Sequence, residues 1–126
     1  MSALVRPSLW RRIKNSLRTW PRGTLGTIDM IPDGFVFTDM SGPVQIRWRE
    51  ITQIDGGVRD YLTVDMFFTV IHAANERVSI DEVADGFRQL EHGIFEQWPR
   101  LRQRWLALQG ALPRHPQFET LWKRRP

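Results

Sequence analysis

The spacing of apolar residues changes near residue 80, from a period of two to a period near 3.6. Between residues 24 and 80, short apolar runs alternate with polar positions and are separated by Gly, Pro, Asp and Asn. Such alternation is typical of half-buried antiparallel strands. The turns are too short to hold crossover helices, so we predict six or seven antiparallel strands here.

Turn residues set the expected strand boundaries. Pro32-Asp33-Gly34 and the segment 39–43 predict two tight turns, and Gly56-Gly57 predicts the end of a short strand or turn that begins near Glu50. The strands are expected over residues 27–31, 35–38, 44–48, 50–55, 61–72 and 77–80.

Beyond residue 80, apolar residues recur in steps of three or four, with an average of about 3.6 residues. They are Val83, Phe87, Leu90, Ile94, Trp98, Leu101, Trp105, Leu108 and Leu112. We predict a helix that begins near Asp81, capped either by a Ser79–Glu82 capping box or by Asp81 itself. Pro99 then lies in the first turn of a second helix, which Gly110 and Pro113 end.

The predicted core joins this helical stripe to the strands. Val83, Phe87, Leu90 and Ile94 are expected to face a sheet that presents Trp48, Ile51, Ile54 and either Phe67 or Phe68. The tail after Pro113 is expected to be irregular, with Phe118, Leu121 and Trp122 anchoring it to the core.

The N-terminal segment predicts a further helix over residues 8–20. Its apolar stripe includes Trp10, Leu17 and Trp20, and basic residues lie largely away from that stripe. We favour packing of the stripe on the domain, since a chain of this size needs the apolar area. The alternative is a helix that lies on an anionic membrane surface.

Length and charge distribution divide the chain into one domain with two basic ends. With 126 residues the chain can build a single core, which we place at residues 24–112. Residues 1–23 hold six basic residues and no acid, the tail 113–126 is also basic, and residues 24–97 hold thirteen acids against five basic residues. The ends could bind phosphate or anionic lipid, or simply lie on the acidic body.

Candidate binding residues come from both regions. The basic and aromatic candidates in the ends are Arg11, Arg12, Lys14, Arg18, Trp122, Arg124 and Arg125, and the acidic candidates in the body are Asp55, Asp60 and Asp65. Asp60 and Asp65 flank residues 61–64 and are expected to meet across a loop. The Trp and Arg residues of the ends could stack on single-stranded nucleic acid or anchor the protein at a membrane interface. The third alternative is that they only hold the terminal segments against the core.

No residue pattern predicts catalysis or a cofactor. The chain has no cysteine, which excludes disulfides and thiolate sites. His72, His92 and His115 lack the spacing of metal ligands, the glycines form no phosphate-binding loop, and no nucleophile elbow is present. We therefore expect no enzyme activity, no metal and no cofactor. Arginines interrupt the N-terminus, which predicts no secretory signal and a cytoplasmic protein, with peripheral attachment to the inner membrane face as the membrane-bound alternative.

The segment from Ile46 to Ile54 carries a family resemblance. It is similar to the hydrophobic–x–Trp–x–x–Ile–x–x–Ile segment of small uncharacterised bacterial proteins with a pleckstrin-homology-like (PH-like) domain. The resemblance extends loosely over residues 22–122, including Arg22 to Gly26, Arg59 to Asp65, Asp81-Glu82, Gly86-Phe87 and Pro116 to Trp122. It implies an α+β fold, in which a PH-like antiparallel barrel or sandwich is followed by an amphipathic C-terminal helix.

Three functions remain open at this point. The first is a non-catalytic protein-binding module of a bacterium, for instance an immunity-type protein that neutralises a toxin, whose acidic surface suits a basic partner. The second is binding to anionic lipid through the N-terminal helix. The third is nucleic-acid binding through the basic ends, which the acidic body disfavours.

Overall fold

Seven strands and two helices make up the part of the chain that the computed structural model describes, which is residues 26–60, 65–110 and 117–126. The strands are β1 (Thr27–Ile31), β2 (Gly34–Asp39), β3 (Gly42–Arg47), β4 (Ile51–Asp60), β5 (Asp65–Ala73), β6 (Glu76–Asp81) and β7 (Gln117–Lys123). The helices are α1 (Phe87–Gln97) and α2 (Arg102–Gln109), and single 3-10 turns occupy Trp48–Glu50 and Pro99–Leu101. The helix predicted over residues 8–20 lies outside the described residues.

The strands form two antiparallel sheets, which confirms the predicted α+β class. One sheet has the order β1-β2-β3, and the other has the order β6-β5-β4-β7. Neighbours along the chain pair through short turns at Pro32-Asp33, Met40-Ser41 and Ala74-Asn75. The sequence predicted a barrel or a sandwich, and no described strand pairs with a strand of the other sheet, so the described strands do not form a closed barrel.

In the described chain, an apolar core lies between the sheets and the helices. Both sheets contribute buried residues, among them Phe35, Ile46, Ile54 and Phe67, and these pack with Phe87, Leu90, Ile94 and Trp105 of the helices. The predicted partners Phe87, Leu90, Ile94, Ile51 and Ile54 are all buried, and Phe67 is the inward-facing phenylalanine. Phe68 alternates to the opposite face of its sheet, where it stacks on Phe118 at 6.0 Å.

The helix begins six residues later than the sequence predicted. Strand β6 continues to Asp81, so Ser79 and Asp81 pair with Val70 and Phe68 instead of capping a helix. Val83, expected in the core, is 42% exposed in the connection that follows. The chain then turns at Gly86, whose φ of 90° is a conformation that favours glycine, and α1 starts at Phe87.

Two predictions about β4 and the tail are also wrong. Gly56 and Gly57 do not end a strand: β4 runs through both residues and pairs with β5 on one side. On the other side it pairs with β7, which forms from the tail that was expected to be irregular. The missing side chain of Gly56 leaves room for Leu121 and Leu108, because a Cβ there would approach Leu121 Cδ1 to 2.8 Å.

The helix interruption near Pro99 is confirmed, as is the end of the second helix at Gly110. Helix α1 ends at Gln97, Pro99 opens a 3-10 turn, and α2 follows and ends at Gln109. Leu101 of the turn is buried. The interruption leaves Trp98 at a bend between two helices, where it is only half-buried.

Candidate functional site: a tryptophan cleft

An open cleft lies where three element ends meet. They are the 3-10 turn after β3, the end of α1 and the last residues of β7. The cleft has a volume of about 470 Å³ and is lined by Pro32, Asp33, Trp48, Arg49, Gln97, Trp98, Trp122 and Arg124. We call it the tryptophan cleft. A second depression of about 560 Å³ adjoins it behind Trp98 and Trp122 and includes Leu101, Arg100 and Arg104.

Each tryptophan is held by its own element end. The Trp48 backbone N–H donates to the Asp33 carbonyl at 2.8 Å, which ties the turn after β3 to the β1–β2 turn. The Trp98 N–H donates to the Ile94 carbonyl at 2.8 Å and closes the last turn of α1. Trp122 lies on β7 opposite Ile54 of β4. Three segments that are distant in sequence therefore fix the three rings.

A bulge in β7 aims Trp122 toward the cleft. The register between β4 and β7 shifts between Ile54 and Asp55, so that Trp122 pairs with Ile54, Thr120 pairs with Asp55, and Leu121 has no Cα partner. An extra residue in one strand lets two successive side chains leave on the same face. Leu121 thus enters the core while Trp122 packs beside it at the cleft wall.

The rings contact one another in a row. Trp48 and Trp98 meet edge to face with centroids 6.0 Å apart, and Trp98 and Trp122 are tilted with centroids 4.9 Å apart. Trp48 in turn contacts Phe35 at 5.7 Å, and Phe35 is fully buried. Each tryptophan stays half-buried. The row is thus anchored in the core at one end while it leaves apolar ring surface open to the cleft.

The charged groups of the cleft have a positive balance. The Arg124 guanidinium donates from Nη2 to the Arg49 and Ile51 carbonyls, each at 2.8 Å, and lies 5.9 Å from the Trp122 ring. These neutral acceptors position Arg124 without cancelling its charge. The single carboxylate in the lining, Asp33, is paired with Arg47 at 2.5 Å. In the described chain, Arg49, Arg100 and Arg124 have no carboxylate partner.

The structure gathers only part of the predicted binding set. Trp122 and Arg124 both line the cleft, and Arg125 follows them as an exposed residue. Asp60 and Asp65 are paired Cα partners at the ends of the β4–β5 hairpin, as expected. Asp55 lies further along β4 and is buried, so the three acids do not form one site. The candidates Arg11, Arg12, Lys14 and Arg18 lie outside the described residues.

Asp55 and Asp81 belong to polar contacts on the sheet face that points away from the helices. The Asp55 carboxylate accepts hydrogen bonds from His72 Nε2 at 2.6 Å and Gln53 Nε2 at 2.8 Å. Further along the sheet, the Arg59 guanidinium lies 3.3 Å from the Asp81 carboxylate. Burial raises the pKa of Asp81 to about 6, and the nearby Arg59 charge opposes that rise. Both carboxylates are buried, so they act as structural groups within the sheet.

Sequence reasoning missed half of the cleft. Trp48 and Trp98 were assigned to the core, and Arg49 and Arg100 were not singled out. A signal was nevertheless present, because each tryptophan of the cleft is followed within two residues by an arginine: Trp48-Arg49, Trp98-Pro99-Arg100 and Trp122-Lys123-Arg124. The fourth described tryptophan, Trp105, is fully buried as predicted.

Among residues 26–60, 65–110 and 117–126, no group of three or more His, Asp or Glu side chains is arranged to hold a metal ion. No helix in those ranges is long and apolar enough to cross a membrane. No protein-family model, curated protein or solved structure matches this chain.

Proposed function

We propose that this protein is a non-catalytic protein-binding module and that the tryptophan cleft is its binding surface. The observation that carries the proposal is the row of three half-buried tryptophans at an open cleft, beside arginines that pair with no carboxylate of the described residues. Tryptophan and arginine are the residue types that contribute most binding energy at protein interfaces. The described lining holds no histidine, serine or threonine, which favours binding over acid–base or nucleophilic chemistry.

Ring packing favours a protein partner over single-stranded nucleic acid. Bases stack on aromatic rings that offer a free parallel face. In the cleft, Trp98 receives Trp48 at an interplanar angle of 86° and Trp122 at 44°, so neighbouring indoles already cover part of its surface. The remaining angular spaces suit branched or aromatic side chains that insert between rings.

Three finer points belong to the same proposal. We place the protein among small bacterial PH-like proteins, supported by the Ile46–Ile54 segment and by the two antiparallel sheets followed by a helix. Strand β7 departs from that layout, since it follows the helices. We also retain the amphipathic helix over residues 8–20, packed on the domain. An immunity-type role, in which the module neutralises a toxin, is the specific version we favour.

Affinity purification from the native host, with bound molecules identified by mass spectrometry, tests the proposal. Trp122→Ala removes one cleft ring, and Phe118→Ala is the matched control because both aromatic residues lie on β7 but face opposite sides. We expect one protein partner in stoichiometric amount with the wild type and with Phe118→Ala, and its loss with Trp122→Ala. Melting temperatures confirm that both variants are folded.

Recovery of lipid or nucleic acid instead of a protein would contradict the proposal. So would a protein partner that remains bound to Trp122→Ala as tightly as to the wild type. For the immunity-type version, co-expression of the module should rescue cells from growth arrest caused by the recovered partner.

A further inference from the structure

We infer that the tryptophan cleft binds an acidic, extended protein segment that inserts one large apolar side chain between the rings. The inference rests on the proposed function and adds the chemistry of the partner. The middle region of the chain is acidic and by itself would suit a basic partner. The cleft is locally basic and therefore suits an acidic one.

The charge of the segment follows from three arginines that have no carboxylate partner among the described residues. Arg49 and Arg124 line the cleft, and Arg100 lies at the adjoining depression on the other side of Trp98. No carboxylate of the described chain pairs with these three side chains, while the nearby acids Asp33 and Glu119 are already occupied by Arg47 and Arg104. Carboxylates of a partner would therefore complete this surface, and a basic segment would meet like charge.

Among the described residues, Arg124 is the cation of this group whose guanidinium makes the most hydrogen bonds. Its Nε and Nη2 groups are held by backbone carbonyls of Ile51 and Arg49, which fixes the guanidinium plane near the Trp122 ring. A guanidinium that is positioned before binding loses less conformational entropy when it pairs with a carboxylate. We therefore place one Asp or Glu of the partner next to Arg124.

The apolar anchor follows from the size and lining of the cleft. A volume of about 470 Å³ lies toward the small end of typical ligand pockets, and the three rings supply its apolar walls. An open site of this size suits one side chain such as Leu, Phe or Trp with its neighbouring backbone. Large aromatic or aliphatic anchors in such pockets dominate binding energy.

The segment binds through side chains and does not extend the sheet at β7. Arg104 donates to the Thr120 carbonyl at 2.9 Å and to the Leu121 carbonyl at 3.5 Å of β7, which is an edge strand of its sheet in the described chain. A partner strand would have to displace this arginine to pair with β7 there. Recognition by strand addition is therefore disfavoured where the cleft meets that edge.

Selection from a display library of random twelve-residue peptides tests the inference without a known ligand. The full chain serves as bait, and a parallel selection uses Trp122→Ala. We expect the wild-type pool, relative to the Trp122→Ala pool, to be enriched in Asp and Glu around a single Leu, Phe or Trp. Enrichment in Lys and Arg, or identical pools from both baits, would overturn the inference.

A peptide synthesised from the enriched sequence then measures the charge effect by isothermal titration calorimetry. Arg49→Glu should weaken binding by about 5- to 30-fold at low salt, because one attractive charge becomes repulsive. Arg77→Glu is the matched control, since Arg77 is an exposed arginine on β6 and its reversal changes the net charge equally. We expect the control to bind within about twofold of the wild type. Equal loss in both variants would overturn the inference, since it would indicate only an effect of overall charge.

The two proposals fail in different ways. If a host protein binds through Trp122 but its bound segment is basic or lacks an apolar anchor, the acidic-segment inference is overturned and the binding-module proposal stands. If a single-stranded oligonucleotide competes fully with every selected peptide and no host protein is recovered, both are overturned.

Discussion

Glu91 shows how one buried carboxylate can organise several polar groups in this protein. It lies on the inward side of α1, and its Oε2 accepts hydrogen bonds from Trp105 Nε1 at 2.7 Å and from Gln109 Nε2 at 2.8 Å. Its Oε1 accepts from Arg88 at 2.7 Å. This pairing raises the pKa of Arg88 and gives the fully buried Trp105 a partner for its indole N–H. Glu91 therefore ties α2 to α1.

Glu91→Ala should destabilise the protein by about 1–3 kcal/mol. The Trp105 indole N–H would stay buried without an acceptor, and a buried donor without a partner destabilises a protein by about 1–3 kcal/mol. Urea unfolding followed by tryptophan fluorescence measures the change. Glu96→Ala is the control, since Glu96 is an exposed residue of the same helix whose contact is with His92, and it should cost less than about 0.5 kcal/mol. Similar losses in both variants would show that Glu91 does not join the helices.

The raised pKa of Asp81 leads us to expect a pH-dependent contribution to the free energy of unfolding. Its pKa is about 6 in the folded protein and about 3.9 in an unfolded chain, so the folded state holds the proton more tightly. The stabilisation is fully present below pH 4 and is lost as the pH rises through 6, with a slope of up to about 1.4 kcal/mol per pH unit. Asp81→Asn removes the titrating group.

Urea unfolding of wild type and Asp81→Asn at intervals from pH 3.5 to 7.5 isolates this contribution. We expect the stability of the wild type relative to Asp81→Asn to fall across pH 4–6 and to level off above pH 7. A difference that rises with pH would show that Arg59 dominates over burial.

At the scale of elements, the start of α1 is set by contacts with β1 more than by a helix cap. The Ile28 N–H donates to the Asp85 carbonyl at 2.7 Å, and the Asp85 N–H donates to the Gly26 carbonyl at 3.1 Å. Gly86 occupies the N-cap position and has no side chain that could cap the helix. It lies against the Ile28 carbonyl. The helix therefore begins where the chain can turn off β1.

Gly86→Ala should destabilise the fold by about 1–3 kcal/mol, because a Cβ at this positive φ is strained and would collide with the Ile28 carbonyl. Gly110→Ala is the control at the end of α2, where φ is −91° and a Cβ would lie 3.4 Å from the Leu106 carbonyl oxygen, the nearest contact given by the described residues. We expect it to change stability by less than about 0.5 kcal/mol. Thermal unfolding followed by circular dichroism compares them, and equal effects would contradict this account of the turn.

The helix face can be tested at two positions of the predicted stripe. Phe87 is buried between the rings of Phe67 and Trp105, at 6.2 and 6.1 Å, so Phe87→Ala should cost about 3–5 kcal/mol. Val83→Ala should cost under about 1 kcal/mol because Val83 is exposed. Urea denaturation of each variant gives the two values. A loss under about 1 kcal/mol for Phe87→Ala would show that α1 presents another face to the sheets.

At the scale of the whole molecule, β7 closes the structure by bringing the C-terminal residues back to the middle of the chain. It pairs with β4, places Leu121 in the core and positions Trp122 beside Trp98. Arg124 continues the contact, since its N–H donates to the Thr52 carbonyl at 2.8 Å. The core and the cleft therefore both depend on this late strand.

Removal of residues 117–126 should lower the free energy of unfolding by at least about 2–5 kcal/mol, which is the range for the loss of one buried leucine. The loss should be at least this large because one edge of β4 also loses its partner strand. Removal of residues 125–126 alone is the control and should leave stability within about 0.5 kcal/mol, because both are exposed beyond β7. Chemical denaturation of the three proteins makes the comparison. An unchanged midpoint for the longer truncation would show that β7 is not part of the cooperative fold.

Local pattern alone determined most of the elements of this protein. Alternating apolar residues predicted the β1–β3 meander and the β5–β6 hairpin, because one face of each strand is buried. The step of about 3.6 residues identified the face of Phe87, Leu90 and Ile94, and Pro99 marked the helix interruption since proline lacks the N–H that a continuous helix needs.

Only the tertiary structure decided the remaining elements and the cleft. Gly56-Gly57 has the local chemistry of a turn, yet β4 continues through it because β5 and β7 pair with it on both sides. Asp81 and Ser79 resemble helix caps, but their strand partners on β5 hold them in β6. The tryptophan cleft combines residues from positions 48, 98 and 122, and its geometry depends on a bulge in β7. Long-range pairing overrode local preference at each of these places, since a strand of low intrinsic propensity is stabilised by neighbours that sequence spacing does not reveal.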